Sequence, residues 1–107
     1  MSFNALFIAH APDGDKSIHR SKIETGMYKL LTVIVKSQAE ALEVCQELVK
    51  AEAIDSILLC PGFTHRDIAE IATATDNKVA VVVARGDGPS GQIAQAALQR
   101  AGYFRNR

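Results

Sequence analysis

Apolar positions along the chain alternate between short runs rich in β-branched and aromatic residues and longer stretches with helical spacing. That alternation is the pattern of βαβ units around a largely parallel sheet. Phe3–Ala9, Tyr28–Lys36, Asp55–Cys60 and Lys78–Ala84 read as four strands. The last two are apolar with few breaks, as strands covered on both faces are. Ser37 and Glu40 make an S-x-x-E signature that opens a helix to about Ala53, with Leu42, Cys45, Leu48 and Val49 on one stripe. Thr64 and Asp67 repeat the signature as T-x-x-D and open a second helix to about Ala74, with Ile68, Ile71 and Ala72 turned inward and Asn77 near its end. A third helix is expected from about Ser90 or Gly91 to Ala101, carrying Ile93, Ala97 and Leu98 inward and ending on Gly102 in the left-handed conformation. Between the first two strands, His10–Gly26 has only Ile18 and Ile23 as apolar anchors and reads at best as a short helix over Lys16–Glu24. Its length suits a parallel crossover, so the first two strands are expected to run parallel.

These elements predict one α/β domain over residues 1–107: a three-layer sandwich around a mostly parallel four-stranded sheet, with the flavodoxin-like strand order 2-1-3-4. Composition narrows the partners. Twelve Lys+Arg balance twelve Asp+Glu, so the basic excess used to grip phosphate backbones is missing and nucleic acid is not an expected partner. Charged residues interrupt every apolar run well short of membrane-spanning length, so no membrane partner is expected either. The first residues lack a basic segment ahead of an apolar run, and two cysteines are too few for a disulfide framework. The expected location is the cytoplasm.

In an open α/β sheet, ligands bind beyond the carboxyl ends of the strands, where loop amides and helix N-termini converge. Three loops qualify: His10 with Asp13 and Asp15 after the first strand, Pro61–His65 after the third, and Arg85–Gly91 after the fourth. Cys60 ends a buried strand beside a helix N-terminus, a place that stabilises thiolates, and is a candidate nucleophile. His65 stands in the first turn of that helix, where the positive dipole end disfavours an imidazolium, and is a candidate acid/base residue. Gly62, Phe63 and Thr64 offer backbone amides to an anion, and Arg85 a counter-charge. Surface roles compete at each position: Arg85 can pair with Asp87 or Asp13, and Asp13-Gly14-Asp15 is ordinary turn chemistry. His10, His19, His65 and Cys60 are suitable metal ligands but show no close C-x-x-C or H-x-x-x-H spacing, so no metal is assigned. Neither glycine-containing loop matches a nucleotide-binding signature, which leaves the cofactor unassigned.

Phe7-Ile8, Pro12, His19-Arg20 with Ile23 and Thr25, Leu59-Cys60 with Gly62-Phe63, and Arg85 with Asp87-Gly88 resemble a family of small prokaryotic α/β proteins classed as a domain of unknown function. The resemblance runs from about Phe3 to Gly88 and implies no activity. It puts emphasis on His19, Arg20, Cys60, Gly62, Phe63 and Arg85. Where that family is expected to carry Gly-Gly-Phe-Gly, this chain has Pro61-Gly62-Phe63-Thr64.

Two functional readings follow. In the first, the protein binds a small anionic metabolite at the strand carboxyl ends through His10, Asp13, His19, Arg20, Gly62, Phe63, Thr64, Arg85 and Asp87, with His65 or Cys60 supplying chemistry. In the second it is a non-catalytic structural or regulatory protein, a homo-oligomer associating through its apolar strands and the Tyr103-Phe104 tail.

Overall fold

All four apolar runs become neighbouring strands of one sheet. The computed structural model describes residues 1–105, which form β1 (Phe3–His10), β2 (Arg20–Glu24), β3 (Tyr28–Val35), α1 (Gln38–Glu52), β4 (Ser56–Leu59), α2 (His65–Ala74), β5 (Ala80–Val83) and α3 (Gly88–Arg100). The sheet order is β2-β3-β1-β4-β5. β1 lies parallel to β3 on one side and to β4 on the other, and β4 lies parallel to β5. The four expected strands keep their relative order, but the sheet is five-stranded and mixed because β2 joins its edge antiparallel to β3.

That edge strand replaces the short helix expected over Lys16–Glu24. Ile18 N–H and His19 N–H both donate to the Asp15 carbonyl, closing a turn that ends at β2. Thr25 Oγ1 then accepts from the amides of Met27 and Tyr28 and tightens the hairpin into β3. Every β2 residue is exposed, so no apolar run marks it in the sequence. Cations of β2 and of the turn before it reach over to acidic residues of α1 instead: Lys16 to Glu43 at 3.4 Å, Arg20 to Glu47 at 3.6 Å and Lys22 to Glu52 at 3.4 Å. Lys29 of β3 donates both to the Glu52 carboxylate (2.8 Å) and to its carbonyl (2.9 Å). Lys29 and Glu52 side chains are only 15% and 24% exposed, so this pair is the least screened of the set. Glu52→Gln is expected to cost about 0.5–1 kcal/mol in a urea unfolding curve. The Lys29 hydrogen bond holds the Glu52 carboxyl below its usual value, so this contribution is present above the ordinary carboxylate range and fades as pH falls through it.

The core sits on one face of the sheet. Leu6 and Ile8 of β1, Leu31, Val33 and Val35 of β3, and Ile57 and Leu59 of β4 share that face by register, and all are buried. Against them lie Ala41, Val44, Cys45 and Leu48 of α1 and Ile71 of α2. α1 begins at Ser37, whose hydroxyl accepts from the Glu40 amide. α2 begins with a reciprocal capping box between Thr64 and Asp67. Glycine with positive φ follows α3 at Gly102, as its sequence position predicts.

The expected third layer is not there. α1 and α2 pack against each other on the core face, and α3 buries none of its residues. Ile93, expected to face inward, is exposed. On the far face β1 presents Phe3, Ala5, Phe7 and Ala9, β3 presents Tyr28, Leu30, Thr32 and Ile34, β4 adds Ser56 and Leu58, β5 adds Ala80 and Val82, and β2 adds Ser21 and Ile23. Phe3, Tyr28, Leu58 and Val82 remain 39–48% exposed. The unbroken apolar runs are real, but one of the two faces they serve is not covered by a helix of the same chain. No helix among the described residues is long and apolar enough to cross a membrane.

Candidate functional site

The carboxyl ends of β1 and β4 lie side by side at the centre of the sheet, where the chain leaves β1 toward one edge and, after α1, enters β4 on the other side. Cys60 N–H donates to the Ile8 carbonyl (3.1 Å) and locks the first residue after β4 beside the end of β1. His10 shares the core face with Leu6 and Ile8, because strand side chains alternate. Its ring therefore turns toward the loop after β4, where it stacks on Phe63 with centroids 4.1 Å apart. Phe63 is 5% exposed and belongs to the core, so it is a wall for His10 and not an open contact surface.

Gly62 completes the enclosure. A Cβ at this position would stand 3.4 Å from His10 Nδ1 and 3.6 Å from Cys60 Sγ, so the backbone passes close to both. Burial raises the Cys60 thiol, but hydrogen bonds from the His10 side chain and from the His10 and Gly62 backbone outweigh it. The net effect places the thiol below its usual value. Cys60 is half-buried, whereas Cys45 lies wholly within the core, where burial pushes its thiol up to about 12. The two thiols are therefore shifted in opposite directions, Cys60 toward the thiolate and Cys45 away from it.

Other expected site residues are arranged differently. The Gly62–Thr64 amides do not form an open cradle. Gly62 faces the Cys60 sulfur, Phe63 N–H donates to the Cys60 carbonyl, and Thr64 N–H donates to the Asp67 carboxylate. His65 is exposed at the first residue of α2 and takes no part in the contacts that define the His10–Cys60 pair. His19 Nδ1 accepts from the Asp15 amide in the turn before β2, and Arg20 is held by Glu47 at the sheet edge. Asp15 accepts from the Ser17 amide, which holds its carboxyl below the usual value; Asp13 is exposed in the same loop. Arg85 pairs with Asp87 at 2.8 Å, both well exposed. The loop carrying Arg85 nevertheless approaches the site. A Cβ on Gly86 would stand 2.8 Å from the Pro61 side chain, so the loops after β4 and β5 rest against each other. Among the described residues, no three His, Cys, Asp or Glu side chains gather as a metal-ligand cluster.

The sequence brought His10 and Cys60 to the same end of the sheet but gave His10 only a binding role. The expected strand order already set their two strands side by side; strand parity, which turns His10 toward the loop after β4, is the further signal that points to its meeting with Cys60.

A model of a family of unknown function matches residues 3–99. The chain belongs to this family, DUF6506. The DUF6506 match contains His10, Cys60, Gly62, Phe63, Arg85 and Asp87, so the whole candidate site falls within the family's shared region. No curated protein and no solved structure matches the chain.

Proposed function

We propose that the protein binds a small anionic metabolite at the carboxyl ends of β1 and β4 and presents to it the Cys60 thiolate, held by His10. The observation that carries this reading is the meeting of His10 and the half-buried Cys60 about Gly62, whose backbone passes close to both His10 Nδ1 and Cys60 Sγ, at the point where strand order reverses. A thiol lowered in this way is in its nucleophilic form over a wider pH range than a free cysteine. His10, fixed by stacking on Phe63, is placed to exchange a proton with the sulfur or a bound group. Arg85 supplies the countercharge. Its partner Asp87 is exposed, so a ligand carboxylate or phosphate can take that partner's place at little cost. His19 and Arg20 are engaged away from this centre and are not needed for the reading.

A thermal-shift screen of untagged protein against phosphorylated and carboxylated metabolites tests the proposal. A ligand at a hundred times its Kd stabilises by about 2.7 kcal/mol and raises the midpoint by several degrees. The expected hit also slows alkylation of Cys60 and loses its effect in Arg85→Ala. A flat screen at millimolar ligand, with Cys60 equally reactive throughout, overturns it.

A further inference from the structure

We propose that the uncovered face of the sheet is a dimer interface, occupied by the same face of a second copy of this chain. Strand alternation sorts the charges completely. Arg20, Lys22, Glu24 and Lys29 all fall on the α1 side, and no strand position on the far face carries Asp, Glu, Lys, Arg or His. At its centre, Phe7 lies between Thr32 and Leu58, and Leu58 lies beside Val82. Apolar patches of about this size are often functional sites on the proteins that carry them. A surface without charge has nothing with which to select an acidic, basic or nucleic-acid partner. Two copies meeting on it oppose no like charges.

Its size also fits a second copy. Five strands about 4.8 Å apart, rising about 3.3 Å per residue, give a face of roughly 500 Å² in projection. Side-chain relief brings that near the roughly 600 Å² per partner at the low end of stable interfaces, with the two sheets about 10 Å apart. The alternative cover from within the chain, α3, does not seal this face: it buries none of its residues, and Ile93 on its apolar side stays exposed.

Sedimentation velocity of the full chain from 1 to 100 µM is the test, with circular dichroism on each variant. The wild type is expected at twice its 11.5 kDa chain mass. Leu58→Lys, at the centre of the face, should raise the dimer dissociation constant roughly a hundredfold or more, because the new charge has no partner there. Val82→Lys, on the outer strand, should do the same and decides the matter if Leu58→Lys fails to fold. Ile93→Lys, on exposed α3, should leave the dimer intact. A wild-type monomer at 100 µM overturns the proposal, whether the face is bare or covered by α3. So do folded sheet variants that remain dimeric, or a dimer lost only in Ile93→Lys.

Discussion

Ile8→Ala is expected to lower the free energy of unfolding by about 4 kcal/mol and the thermal midpoint by roughly 15–20 °C. Ile8 sits on the central strand with no exposed surface, registered between Val33 of β3 and Leu59 of β4, both themselves buried. Removing its outer carbons leaves a cavity bounded by two strands on either side and by the α1 stripe above, and none of these can move in without breaking its own ladder or helix contacts. A domain with 5–15 kcal/mol of total stability keeps its fold after such a loss only narrowly. Ile93→Ala on α3 is the control: its side chain is 72% exposed, so the cost should stay below about 1 kcal/mol. Equal losses at the two positions in chemical denaturation would contradict the one-sided core.

That asymmetry explains how much could be read in advance. β1, β3, β4 and β5 were visible because each is an apolar run dense in Val, Ile, Leu or Phe, and burial of at least one face demands such residues. Helices α1 and α2 were visible through Ser37 and Thr64, since cap chemistry is local. β2 was invisible because its support is not local. A fully exposed Arg-Ser-Lys-Ile-Glu segment becomes a strand by pairing with β3, and its cations find α1 carboxylates that follow some twenty to thirty residues later in the chain. The third layer was misjudged for a different reason. A strand covered by a helix and a strand left open, or covered by another molecule, have the same apolar pattern, so Leu58 and Val82 carry no mark of which applies. For the site, Cys60 was marked by its place at a strand end before a helix. The expected strand order already set β1 beside β4, but the Phe63 stack that orients His10 is supplied only by the folded chain.

The two cysteines should separate sharply in reactivity. With iodoacetamide under native conditions, Cys60 is expected to react with a pH midpoint below that of an ordinary thiol, because hydrogen bonds from His10 and Gly62 favour its thiolate over the opposing effect of burial. His10→Ala removes one of the donors that oppose burial, so the midpoint moves upward and the rate at pH 7 falls. Cys45 should not react until the protein unfolds. Burial raises its thiol to about 12, so the native state holds that proton where the unfolded chain has released it. Its contribution to stability is accordingly complete below the unfolded thiol range and is lost as pH rises from about 9 toward 12, a change of roughly 4 kcal/mol. Peptide mapping of alkylated protein distinguishes the sites. An unchanged Cys60 profile in folded His10→Ala would remove the pair as a functional unit, because the thiolate would then owe its stabilisation to the loop backbone alone.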